Sequence, residues 1–63
     1  MQVIPVEVNE SQKNRAVAYW NRGNAYKKKG DKEQAIADFR KALEINPSLQ
    51  PAKNNLKRLG VTP

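Results

Sequence analysis

Few side chains in this chain of 63 residues are suited to catalysis. The sequence contains no histidine to act as a general base for a hydroxyl nucleophile, and it contains no cysteine. Ser11 and Ser48 each stand where a helix can begin, so we interpret both as helix caps. Glu33 and Asp38 are expected on the solvated face of a helix, which does not make a catalytic carboxylate pair. We therefore predict no enzymatic activity, no cofactor and no metal site.

The most conspicuous chemistry of the chain is its positive charge. Twelve basic and six acidic residues give a formal net charge of +6, which favours an acidic protein or peptide, an anionic surface or nucleic acid as a partner. A solvated surface is the simpler explanation for most of these charges. Lys27, Lys28 and Lys29 close a predicted helix, where cations interact favourably with the helix dipole. Because no aromatic residues interleave with these lysines, we expect nucleic acid to be the less favoured partner.

Two predicted helices, over about residues 10–29 and 32–45, organise the chain. In each, apolar and small residues recur at steps of three and four, which places them on one stripe. The stripe residues are Ala16, Tyr19, Gly23 and Tyr26 in the first helix and Ala35, Ile36, Phe39, Ala42 and Leu43 in the second. Gly30 can end the first helix and Asp31 can cap the second, so the two helices form an antiparallel hairpin.

A third helix is predicted over residues 48–60, with its apolar stripe on one side. Ser48 can cap this helix, and Gly60 can end it in a Schellman turn with Val61 as the hydrophobic contact that follows. The stripe consists of Leu49, Ala52, Leu56 and Leu59. The fold class is therefore all-α, an antiparallel helical hairpin followed by a third, capping helix and a short tail over residues 61–63.

The segment before the hairpin, residues 1–9, is expected to be extended or disordered. It can lie along the hairpin, pair with a copy of itself or remain disordered. Asn9, with Gln12 three residues later, predicts a capping box at the start of the first helix. No stretch approaches the roughly 20 apolar residues of a membrane span, and no secretory signal is present, so we predict a cytoplasmic protein without membrane contact.

The first helix also has apolar surface on a second side. Adjacent residues of a helix point about 100° apart, so Trp20 points away from the contact that Tyr19 makes with the second helix. A second apolar side requires a second partner, which can be the third helix, another copy of the chain or a ligand. A bound partner would bury Val17 and Trp20. The polar residues at the rim of this contact would be Asn21, Asn24, Lys27 and Lys28.

The hairpin resembles a known repeat. The tetratricopeptide repeat has about 34 residues and the pattern W-x2-L-G-x2-Y…A-x3-F…P. This sequence has Tyr19 in place of the tryptophan, and the residues that follow in register are Gly23, Tyr26, Ala35, Phe39 and Pro47. It departs from the family at Arg22, where leucine is usual, and at Lys32, where an aromatic residue is usual. We identify it as similar to a single repeat followed by a C-terminal capping helix.

The resemblance implies a protein–protein interaction module whose first helix lines a groove for a peptide or a partner surface. In family members that hold a peptide carboxylate, two asparagines come from successive first helices, and Asn24 and Asn55 match those places. Asparagines at these places also bond between helices in repeats without such a clamp, and Trp20 stands where the clamp has lysine. The structural role of Asn24 and Asn55 is therefore the preferred expectation.

One repeat is fewer than the roughly three that such arrays generally need for stability. The sequence therefore predicts a homo-oligomer, with a two-fold dimer favoured, or a piece of a longer repeat array. Three functions stay open: a peptide-binding module, a structural self-assembly unit without a separate ligand, and a basic nucleic-acid binder.

Overall fold

A computed structural model describes residues 8–61, which form three α-helices. These are α1 (Glu10–Lys29), α2 (Lys32–Ile45) and α3 (Gln50–Arg58). Most contacts between helices join α1 to α2, and α3 packs mainly against α2. The predicted all-α class, a helical hairpin followed by a third helix, is confirmed. The expectations for residues 1–7 and 62–63 lie outside the described residues.

The ends of α1 are fixed by local hydrogen bonds. The amide of Gln12 donates to Asn9 Oδ1 at 2.8 Å, and the amide of Asn9 donates to Gln12 Oε1 at 3.2 Å, which is the predicted capping box. At the other end Gly30 has φ of 86°, a left-handed conformation that side chains disfavour. The amide of Asp31 then donates to the carbonyl of Tyr26 at 2.9 Å and completes a Schellman turn. The hairpin turn is therefore short, as its sequence requires.

The core lies where α1, α2 and α3 meet, with the ring of Phe39 at its centre. A Cβ atom added to Gly23 would lie 2.7 Å from Cε1 of Phe39, so only glycine allows α1 to approach the ring this closely. The fully buried apolar side chains are Ala16, Ala35, Phe39, Ala42, Ala52 and Leu56. Five of these six residues come from the stripes predicted for α2 and α3, and alanines at four of the positions keep the helix axes close.

The start of α3 differs from the prediction. Leu49, not Ser48, occupies the N-cap position, and no side chain caps the helix. The reason lies in the preceding turn, where the amide of Ser48 donates to Asn46 Oδ1 at 3.1 Å and holds the serine one residue too early. The other end agrees with the prediction: Gly60 has φ of 79°, and Val61 packs against the core after a Schellman turn.

Candidate partner-binding surfaces

The two sides of α1 that flank its contact with α2 have different chemistry. We call the side that faces α3 the covered flank, and it includes Val17, Trp20 and Asn24. Arg22 follows Trp20 by two residues and therefore lies about 200° further around the helix. We call that side the open flank.

An ion pair joins α1 to α2 on the open flank. Nε and Nη2 of Arg22 donate to the two carboxylate oxygens of Asp38, each at 2.8 Å. Asp38 is 4% exposed, so its predicted place on a solvated face is wrong. It lies one position before Phe39, at the edge of the buried stripe, and the arginine supplies the paired donors that a buried carboxylate requires.

Two tyrosine rings hold the guanidinium of Arg22 in place. Its central carbon lies 5.3 Å from the ring centre of Tyr19 and 6.0 Å from that of Tyr26. Hydrogen bonding to Asp38, and then the charge of Asp38, raise the pKa of Arg22 above its already high ordinary value. The group therefore stays cationic. More than half of its side chain remains exposed, so the head group is fixed in position yet accessible.

An amide network joins α1 to α3 on the covered flank. The side-chain amides of Asn24 and Asn55 hydrogen bond to each other, and the two bonded atoms lie 3.0 Å apart. Asn55 is 8% exposed, so it lies between the helices. With its oxygen turned toward Trp20, Asn55 accepts from indole Nε1 at 3.2 Å and donates to the carbonyl of Pro51 at 3.1 Å. This arrangement gives both polar atoms of the Asn55 amide a complementary partner once the amide of Asn24 is turned likewise.

Trp20 is half-buried, because it packs against residues of both α2 and α3. It packs against the cluster of Ala35, Phe39 and Leu56, and the last of these residues comes from α3. Val17, one helical turn earlier, is a large hydrophobic residue that remains 39% exposed. The covered flank is thus only partly covered by the protein's own third helix.

The remaining residues of the predicted partner-binding site differ in their exposure to solvent. Asn21, Lys27 and Lys28 are exposed. Lys27 and Lys28, together with the half-buried Asn24, line a shallow depression of about 380 Å³. The structure therefore gathers six of the seven predicted residues along one side of α1, and it buries the seventh, Asn55, beneath them.

The ion pair between Arg22 and Asp38 was not predicted from the sequence. The contacts of Arg22 with the two tyrosines could have been predicted, since Tyr19 and Tyr26 stand three residues before and four residues after it on the same helix. Its pairing with Asp38 could not, because Asp38 lies sixteen residues away in another helix.

Comparison with known proteins supports the resemblance of the hairpin to a tetratricopeptide repeat. Residues 16–49 match the family described as tetratricopeptide repeat, which is more than half of the chain. The chain belongs to the tetratricopeptide repeat family, as its resemblance predicted. This family generally provides scaffolds for protein interactions rather than catalysis. No curated protein and no solved structure matched the chain. Among residues 8–61, no helix has the length and apolar character needed to cross a membrane.

Proposed function

We propose that this chain is a non-catalytic module that binds a peptide or partner surface along the covered flank of α1. The observation that carries the proposal is the exposure of Val17 beside the half-buried ring of Trp20. Aromatic residues with an exposed edge and an adjacent aliphatic side chain are typical of the centre of a protein interface.

The charge around this centre favours an acidic partner. Lys27 and Lys28 line the depression next to Asn24, and the chain as a whole carries a net charge of +6. Cations at the rim steer an acidic partner toward the surface and raise its association rate more than they raise its affinity. The apolar contact at Val17 and Trp20 then provides most of the affinity.

Asn55 has a supporting role in this proposal. Because it is buried and bonded to Asn24, it holds α3 against α1 and fixes the indole of Trp20 through Nε1. Asn24 retains partial exposure and sits at the boundary between this network and the depression lined by the lysines. We therefore expect a partner to contact Asn24 directly. Asn55 should affect binding only indirectly, through the position of Trp20.

The test is a selection of short peptides from a random display library against the immobilised protein. We expect the selected peptides to combine apolar and acidic residues. Their affinity should fall about tenfold or more for Val17→Asp, because a charge in the apolar contact must be desolvated on binding. Ala37→Asp, at an exposed position of α2, is the matched control and should bind as the wild type does. Peptides that bind Val17→Asp unchanged would contradict the proposal.

A second copy of the chain is an alternative occupant of the same surface. The exposed Val17 favours it, since a two-fold dimer across α1 would bury this side chain and the edge of Trp20 twice. Light scattering coupled to size-exclusion chromatography separates the two occupants. A wild-type mass of twice 7.1 kDa that returns to the monomer value in Val17→Asp would support the dimer. A monomer in both proteins would leave the surface to a separate partner.

Nucleic acid is the less favoured partner of the same module. Such binding would arise from phosphate contacts of Lys27, Lys28 and Lys29, and it would weaken steeply with salt. A short single-stranded oligonucleotide tested at low and physiological salt distinguishes this outcome. Binding that disappears when the three lysines are replaced by glutamate would support it, and the absence of salt-dependent binding would exclude it.

A further inference from the structure

The binding surface proposed above leaves another exposed side of α1 without a role. Five residues at steps of three and four occupy that side, and all five are exposed. We call this set the basic stripe. It consists of Arg15, Ala18, Arg22, Ala25 and Lys29. Cations therefore recur every seven residues, and an alanine lies between each pair of cations.

The middle cation of the basic stripe is already held in the geometry that binding requires. Arg22 is fixed by its paired hydrogen bonds to Asp38 and by the rings of Tyr19 and Tyr26. Two of its five N–H groups are used by Asp38, and among residues 8–61 no other acceptor bonds to it. The guanidinium thus presents three donors to solvent at little cost in side-chain entropy.

The alanines of the basic stripe make room beside these donors. Ala18, Tyr19 and Arg22 line a depression of about 190 Å³ on the surface. Because alanine has the smallest side chain that keeps good helix propensity, a second helix can approach α1 closely at Ala18 and Ala25. At 1.5 Å per residue, the cations from Arg15 to Lys29 extend over about 21 Å, which is the length of a four-turn helical contact.

The charges of the chain argue against a second copy as the occupant. Stripe against stripe would oppose like charges, and the exposed Lys57 and Arg58 of α3 would do the same. The exposed acidic residues of α2, Glu33 and Glu44, are eleven residues apart and do not match a spacing of seven. Nucleic acid fits poorly as well, because the rings of Tyr19 and Tyr26 between the cations are half-buried and already pack against the guanidinium of Arg22, which leaves no free aromatic face for stacking with bases.

We propose that the basic stripe docks an acidic amphipathic helix of a partner protein. The helix would carry a carboxylate every seven residues opposite Arg15, Arg22 and Lys29, and small or aliphatic side chains opposite Ala18 and Ala25. Arg22 would then bridge two carboxylates, Asp38 within the chain and one from the partner, through its separate N–H groups. This surface is distinct from the Val17 and Trp20 surface, and both can be occupied together.

The test uses two designed helical peptides of about 21 residues, a length that matches the basic stripe. Both contain three glutamates in an otherwise neutral sequence. In one peptide the glutamates recur every seven residues on one face, and in the other the same residues are rearranged so that the glutamates lie on different faces. Affinity for the full chain is measured by fluorescence anisotropy at about 150 mM salt, where exposed charges are screened beyond about 8 Å. We expect the regularly spaced peptide to bind about tenfold more tightly.

Matched variants locate the site. Arg15→Glu with Lys29→Glu should reduce binding of the regularly spaced peptide about tenfold, since both residues are exposed and reversal turns attraction into repulsion. Arg40→Glu with Lys57→Glu changes the net charge equally at exposed positions outside α1 and should leave binding nearly unchanged. Val17→Asp should also leave it unchanged, which separates this surface from the one proposed above.

Three results would overturn the proposal. The first is equal affinity for the two peptides, because spacing would then carry no information. The second is an equal loss of binding in the Arg40 and Lys57 variant, because the attraction would then come from net charge alone. The third is displacement of the peptide by a short RNA at equal concentration, because the basic stripe would then favour phosphates over carboxylates.

Discussion

The covered and open flanks of α1 solve the same packing problem with different chemistry. Both lie beside the contact between Gly23 and the ring of Phe39. On the covered flank, the neutral amides of Asn24 and Asn55 meet between two helices. On the open flank, the chain provides no further helix among the residues described, and a charged pair of Arg22 and Asp38 joins α1 to α2.

The difference follows from what each flank has next to it. A buried interface between two helices tolerates neutral hydrogen bonds better than charges, because ions lose more solvation than amides do. A flank that faces water can keep a cation, because the exposed head of Arg22 stays hydrated while its other edge pairs with Asp38. The leucine that is usual in this family at the position of Arg22 would leave apolar surface in water.

The largest expected effect is on the covered flank, where Leu56 is the large side chain of α3 that is fully buried. Leu56→Ala should cost about 2–5 kcal/mol of unfolding free energy, through lost burial and a residual cavity. For a domain this small, such a loss is comparable to its total stability. Urea unfolding followed by circular dichroism measures the cost. Leu59→Ala, at a half-buried position, is the control and should cost clearly less.

The centre shared by both flanks should give the next largest effect. Gly23→Ala places a methyl group 2.7 Å from the ring of Phe39, and overpacking of this kind costs about 1–3 kcal/mol. Greater helix propensity of alanine offsets up to about 1 kcal/mol of this cost. Phe39→Leu in the same chain should remove part of the clash, so the double-mutant cycle should show favourable coupling. Additive costs would show that the ring moves aside without strain.

The open flank should respond to the order in which its pair is removed. Arg22→Met leaves Asp38 buried without its partner, so the midpoint of urea unfolding should fall. Arg22→Met together with Asp38→Leu removes both charges, so that this flank, like the covered one, joins its helices without an ion pair. The midpoint should then return to the wild-type value or exceed it, because apolar side chains often replace an ion pair without loss. A double variant that remains less stable than the wild type would show that the pair itself is stabilising.

Whether a feature could be predicted from the sequence depended mainly on how far apart in the chain its interacting residues lie. The capping box of Asn9 and the turns at Gly30 and Gly60 were predicted, because each depends on neighbours within a few residues. The burial of Asp38 was not predicted, because an acidic residue beside a buried stripe is expected to be exposed to solvent unless its cationic partner is known. Ser48 was misplaced for a different, local reason: its backbone amide bonds to the side chain of Asn46 in the preceding turn.

The same competition yields the smallest predicted effect, a contrast between the first residues of α1 and α3. Asn9→Ala removes the side-chain oxygen that accepts from the amide of Gln12, and this loss of the cap should cost about 1 kcal/mol. Ser48→Ala should change stability by less than about 0.5 kcal/mol, since Ser48 is exposed and its side chain caps nothing. Both values come from urea unfolding of the single variants. Equal costs would mean that Ser48 does cap α3 in solution, and the helix that closes the covered flank would then begin one residue earlier. Because α3 lacks a side-chain cap in the structure, we expect its first turn to exchange amide protons faster than the first turn of α1.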